Sequence, residues 1–106
     1  MHWKPLIEID EVYIGRGYVF RFPAKHPFEA IVDFMIIEDL DAPIQLKVIC
    51  SSGYHSGQTE FNFPLEAGKK YALSTDWLKT NWNKWVYQEC DVESVLYIKN
   101  YETKHT

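Results

Sequence analysis

Three of the chain's four tryptophans fall within one short stretch, Ser74-Thr75-Asp76-Trp77-Leu78-Lys79-Thr80-Asn81-Trp82-Asn83-Lys84-Trp85-Val86-Tyr87. At about 100° per residue, Trp77, Leu78, Trp82, Trp85 and Val86 share one half of a helical wheel. Lys79, Thr80, Asn83 and Lys84 fall on the other half. Ser74 or Thr75 is placed to cap the first turn, and Asp76 suits the positive end of the helix dipole. A helix carrying this much indole surface needs a broad, flat apolar partner, and a β-sheet is the natural one. Tyr87 falls opposite the tryptophan face. It is left to solvent, to the following turn or to a partner's pocket.

The rest of the chain supplies the strands. Tyr18 to Phe22 alternates with period two and stops at Pro23, with Gly15 and Gly17 ahead of it for a bend. Phe28 to Ile37 reads two ways. Phe28, Ile31, Val32 and Met35 make a helical face, while Ala30, Val32, Phe34 and Ile36 alternate as a strand does. Its β-branched content favours the strand. The turn-forming Asp39-Leu40-Asp41-Ala42-Pro43 leads to a second strand, Gln45 to Ser51. Ser52 to Gly57 is a loop, Thr59 to Phe63 alternates again, and Glu66 to Lys70 connects to the helix. Leu6 to Ile9 is expected to open the fold as a short strand, and Ser94 to Ile98 to close it, with a polar tail from Glu102 onward. The expectation is α+β: a mostly antiparallel sheet of about five strands packed against one Trp-rich helix.

A chain of 106 residues is expected to form one domain, 1–106. With 46% hydrophobic and 16% aromatic residues, it is expected to be a packed globule. No apolar run approaches the roughly 18 residues of a membrane span. The amino-terminal segment lacks a signal-peptide core, so a cytoplasmic location is expected. Cys50, in an apolar run, reads as a buried thiol. Cys90, in a turn, reads as partly exposed, and a disulfide between them is not expected in a reducing compartment.

The net charge of −4 is uneven. Residues 27–66 hold seven acidic side chains against Lys47 alone, whereas the segments on either side are each slightly basic. Such a block repels nucleic acid and anionic lipid and attracts basic partners. Arg16, Arg21 and Lys25 form only a small basic patch, so neither a nucleic-acid nor a membrane partner is expected.

No pattern for catalysis or metal binding emerges. His2, His26, His55 and His105 are not spaced with cysteines or carboxylates as metal ligands are. No cofactor is expected. Cys50 or Ser52 with His55 can be assembled on paper as nucleophile and base, but no nucleophile-elbow pattern surrounds them. Gly15-Arg16-Gly17 lacks the remainder of a phosphate loop.

The runs Arg16-Gly17-Tyr18-Val19-Phe20-Arg21-Phe22-Pro23, Ile31-Val32-Asp33-Phe34-Met35, Ser52-Gly53-Tyr54, Leu73-Ser74-Thr75-Asp76-Trp77-Leu78 and Asn81-Trp82-Asn83-Lys84-Trp85-Val86-Tyr87 resemble a family of small bacterial immunity proteins from polymorphic toxin systems, the immunity-protein family numbered forty-five. Gln88 stands where that pattern would place a proline. The resemblance implies a non-enzymatic inhibitor of contact-dependent growth-inhibition type. It would bind the C-terminal domain of a cognate toxin, a nuclease among the candidates, and occlude it by bulk and charge. Such a protein is expected to be a monomer or weak homodimer. The residues assigned to toxin binding are Glu38, Asp39, Asp41 and Glu60 for charge, with Tyr54 and Tyr87 as anchors. The competing reading is a small enzyme or ligand-binding domain with a cleft between helix and sheet, using Cys50, Ser52 and His55.

Overall fold

The computed structural model describes residues 2–102. Its main layer is a six-stranded antiparallel sheet built from β1 (Lys4–Pro5), β3 (Val19–Pro23), β4 (Ile31–Glu38), β5 (Leu46–Cys50), β6 (Thr59–Asn62) and β9 (Leu96–Ile98), in the order β1-β9-β3-β4-β5-β6. A second, three-stranded sheet holds β2 (Tyr13–Ile14), β8 (Ala72–Ser74) and β7 (Gly68–Lys69), in the order β2-β8-β7. Helix α1 (Thr75–Asn81) leaves β8 directly and runs into a π-turn, Trp82–Val86.

Period-two alternation is the logic of the large sheet. In β4 and β5 the even-numbered residues Val32, Phe34, Ile36, Leu46, Val48 and Cys50 are buried. With Phe20 and Phe22 of β3 they form the face that meets the helix. The odd positions Met35, Ile37, Lys47 and Ile49 lie on the other face and are half-buried. The two-way segment before Glu38 thus resolves as strand β4, and the tryptophan helix lies on the sheet as its composition predicts.

The contact between helix and sheet centres on Trp82, which is fully buried. Its ring meets Phe20 and Phe22 edge-on, with centroids 5.9 and 5.1 Å apart. Ser74 caps α1 by accepting the Trp77 N–H at 3.2 Å. The Thr75 hydroxyl donates to the Glu11 carbonyl at 2.6 Å, tying the helix start to the residues before β2. At the other end the Tyr87 N–H donates to the Trp82 carbonyl at 3.0 Å, the five-residue spacing that defines a π-turn. The Asn83 amide donates to the Cys90 carbonyl at 2.7 Å and closes the segment.

Three sequence expectations are corrected. Leu6–Glu8 is a 3₁₀ turn, not a strand. Its pairing duty falls to Lys4 and Pro5 opposite Tyr97 and Leu96 of β9. Cys90 is 4% exposed rather than open, because the Asn83 bond draws its backbone inward. The α-helix ends at Asn81, earlier than the apolar pattern implies. The tail beyond Glu102, including His105, lies outside the described residues.

Trp82→Ala removes the largest fully buried side chain, and the expected loss of stability is about 3–5 kcal/mol by urea denaturation. Trp82→Phe, which keeps a ring in the site, is expected to cost less than about half of that.

Candidate protein-binding surface

The acidic residues of the middle segment do not form one open negative face. Asp33 is 3% exposed and spent on the outer face of the sheet. There Arg21 Nε and Nη2 donate to its two carboxylate oxygens at 2.8 and 2.9 Å. The Tyr101 hydroxyl donates to Asp33 Oδ2 at 2.7 Å, and the Trp3 ring lies 4.1 Å from the Arg21 guanidinium. Burial is the main cause that pushes the Tyr101 phenol up to about 12. Asp39 accepts the Asp41 N–H at 2.9 Å and pairs with Lys47 at 3.2 Å, which holds its carboxyl below the usual range. Glu38 pairs with Arg16 at 3.5 Å on the surface. Asp41, Glu60 and Glu66 make no ion pair among the described residues.

Glu38, Asp39 and Asp41 sit at one end of the sheet, in and beside the turn that joins β4 to β5. Tyr54 lies beyond the other end of β5, in the 3₁₀ turn Gly53–His55. Its side chain is 94% exposed, yet its backbone is held on several sides. The Glu29 carboxylate accepts the Tyr54 N–H at 2.9 Å. Gly53 adopts φ +67°, a conformation that favours glycine, and a Cβ there would push aside the Glu29 carboxylate that holds Tyr54. The hydroxyl of Ser56 donates to the Gly53 carbonyl at 2.7 Å. His55 spans the loop: Nδ1 is 3.1 Å from Gln58 Oε1, Nε2 is 3.1 Å from the Pro27 carbonyl, and the ring packs on Phe28. Both ring nitrogens therefore lie within hydrogen-bond distance of an oxygen, an arrangement that favours the doubly protonated imidazolium.

Glu60 lies on β6, the outer strand beside β5. There Ile49 pairs with Thr59 and Val48 with Phe61, so Glu60 is the extra residue of a β-bulge. It is half-buried, and burial raises its carboxyl pKa, opposed by the nearby His55. Tyr87 is turned inward. Its ring packs on Phe22 and Phe28 with centroids 5.0 and 6.2 Å apart, and its hydroxyl accepts the Lys25 N–H at 2.8 Å. Of the six residues singled out, three share the β4–β5 end, Tyr54 stands at the opposite end, Glu60 lies on the margin between, and Tyr87 braces the fold from beneath.

The residues of the competing enzymatic reading are not brought together. The Cys50 thiol is buried, its pKa is raised by that burial, and it donates to the Ser52 carbonyl at 3.2 Å. Ser52 Oγ accepts the Asp33 N–H at 2.9 Å. His55 is engaged with Gln58 and Pro27 instead. No group of three potential metal ligands occurs among the described residues. No helix among them is long and apolar enough to cross a membrane.

One cluster escaped sequence reasoning. Trp77, Trp85 and Phe61 meet at the margin of the sheet, with Trp77–Trp85 and Phe61–Trp85 centroids 5.9 and 6.5 Å apart. A regular helix would carry Trp85 onto the buried face with Trp82. The π-turn winds more residues into each turn and leaves Trp85 36% exposed.

A family model for immunity protein 45 matches residues 6–97 of the chain. No curated protein and no solved structure matches it.

The hydrogen bond to Gln58, then that to Pro27, raises the His55 pKa above its ordinary value near 6.5. The grip of His55 on the loop is therefore complete below about pH 6.5 and is released as the pH climbs through the folded-state pKa. The imidazole is expected to titrate above 6.5 by NMR. Amides of residues 53–58, corrected for intrinsic rates, are expected to be better protected from exchange at pH 6 than at pH 8.5, and His55→Ala is expected to abolish that difference.

Proposed function

Because the chain belongs to the immunity protein 45 family, we propose that it binds the C-terminal domain of a cognate bacterial toxin and neutralises it by occlusion, without chemistry of its own. The observation that carries this reading is the family match across nearly the whole fold. The toxin is made as part of a larger secreted protein, and the inhibitor acts as a monomer or weak homodimer in the cytoplasm of the cell that makes both. A nuclease suits the charges: its substrate cleft is basic, and Asp41, Glu60 and Glu66 are among the carboxylates of the acidic block that make no ion pair among the described residues.

The interface runs along the β5–β6 margin. A standard interface buries roughly 800 Å² on each partner, a disc about 30 Å across. A five-residue strand such as β5 spans about 17 Å. One interface therefore reaches from Glu38 and Asp41 at one end, past Glu60, to Tyr54 at the other. Tyr54 enters as an anchor whose loop is already ordered, so little backbone entropy is lost on binding. Asp39 and Tyr87 contribute from within, one by shaping the turn and the other by bracing Phe28, on which the His55 ring of the Tyr54 loop packs. This division of roles is supported by their hydrogen bonds.

Co-expression with the toxin domain encoded beside this chain is expected to rescue growth that the toxin alone arrests. Glu38→Lys with Asp41→Lys is expected to slow association about 3- to 10-fold at low salt and to change it little at high salt. Asp39 is left intact in that variant because its carboxylate holds the turn. Tyr54→Ala is expected to raise Kd about 10-fold or more, mainly through faster dissociation. An unchanged association rate in the charge-reversed variant removes the acidic turn from the mechanism.

A further inference from the structure

Two local irregularities converge on one spot of the surface. The π-turn Trp82–Val86 displaces Trp85 from the buried face of the helix. The β-bulge at Glu60 interrupts the edge strand immediately before Phe61. Phe61 and Trp85 are in contact there, and Trp77 completes the cluster. Bulges and π-turns both give up regular hydrogen bonding, and both are found where a side chain has been re-aimed for use. The outcome is three large aromatic side chains held at the rim, with Trp77 and Phe61 half-buried and Trp85 more exposed.

Glu60 supplies the polar half of the spot. It is half-buried, and no Lys, Arg or His nitrogen pairs with it among the described residues. His55 acts on it only through space, so this carboxylate, drawn part-way out of water, has no directly paired counter-ion. A cation brought by a partner would supply one.

We propose that the centre of the toxin-binding interface is this aromatic margin, with Trp85 as the principal anchor and Glu60 receiving a lysine or arginine of the toxin domain. The proposal rests on the immunity reading and adds to it the place where the binding energy is concentrated. Tryptophan is among the side chains most often found at such centres, and arginine stacks readily on its face. A second copy of this chain fits the spot less well. Two copies paired along β6 would bring their Glu60 carboxylates into each other's neighbourhood and supply neither with a cation. Strand addition by a partner is also disfavoured, because the bulge interrupts the regular spacing that an added strand would follow. Side-chain docking is the mode that remains.

The test uses the full chain and the toxin domain encoded beside it. Trp85→Ala is expected to raise Kd at least about 30-fold. Glu60→Gln is expected to raise it about 5- to 10-fold and to weaken its dependence on salt. Met35→Lys, on the opposite face of the sheet, is expected to leave Kd within about threefold. Hydrogen exchange on the wild-type complex needs no variant, and is expected to show added protection at residues 59–63 and 83–88. Binding by a folded Trp85→Ala protein at wild-type strength overturns the proposal. So does protection confined to the other face of the sheet, or sedimentation showing a dimer that Trp85→Ala dissolves. If the wild-type protein neither binds the toxin nor protects cells, the immunity reading itself fails. If it protects and Trp85→Ala protects equally, only this inference falls.

Discussion

The seating of Trp82 between helix and sheet governs the rest of this molecule. The indole stands edge-on to Phe20 and Phe22 and fixes how far α1 lies from β3. The same residue's carbonyl accepts the Tyr87 N–H and closes the π-turn. One residue therefore anchors the helix by its side chain and reshapes the helix end by its backbone. Everything along the β6 margin inherits that placement. Trp77 reaches Phe63, Trp85 reaches Phe61, and Tyr87 is delivered onto Phe22 and Phe28.

The opposite face of the sheet solves a different problem. It carries the ion pair Arg21–Asp33 with the carboxylate almost wholly buried. The covering comes from the two ends of the chain. Trp3 lies over the guanidinium and Tyr101 closes on the carboxylate, itself in hydrogen-bond contact with Ser51 at 2.9 Å. Each carboxylate oxygen thus has a donor, so the cost of desolvation is met locally. Removing either partner would strand the other's charge. The centre therefore ties Trp3 and Tyr101 to the middle of the sheet, one by stacking on the guanidinium and the other by a hydrogen bond to the carboxylate.

Much of this fold was legible in the sequence because periodicity reports burial. The alternation of β3 and of residues 32–36 places Phe20, Phe22, Val32, Phe34 and Ile36 toward the helix, and all five are buried, although Val19 and Asp33 on the other face are buried as well. The Ser74 cap was legible for the same kind of reason, since capping is local chemistry. What periodicity cannot carry is a change of period. The wheel that places Trp77 and Trp82 correctly also places Trp85 in the core, because nothing in Asn83-Lys84 announces a π-turn. Strands of two or three residues such as β1, β2 and β7 are too short to alternate. The charge reading fell short for a third reason. Asp33 finds Arg21 across a strand pair and Asp39 finds Lys47 across a turn, so two carboxylates of the acidic block are neutralised by partners that only the folded chain brings near.

Two buried polar atoms have no hydrogen-bond partner among the described residues: Trp82 Nε1 and Glu29 Oε2. The indole N–H of the fully buried Trp82 opposes folding by about 1–3 kcal/mol, whereas the Glu29 carboxylate lies in a half-buried side chain and is eased by the Tyr54 N–H on its other oxygen. Their positions argue against accident. Glu29 is the residue that grips the backbone of Tyr54, and Trp82 is the residue that sets Trp85 and Phe61 at the rim. Both unsatisfied atoms therefore belong to the supports of the β5–β6 margin, and no other buried side-chain nitrogen or oxygen among the described residues lacks a partner. A smaller apolar ring in place of Trp82 or a neutral side chain in place of Glu29 would remove the unpaired atom, but it would also loosen the contacts that each side chain makes. Retaining both is what a chain does when the rigidity of one surface matters more than the last increment of folding free energy.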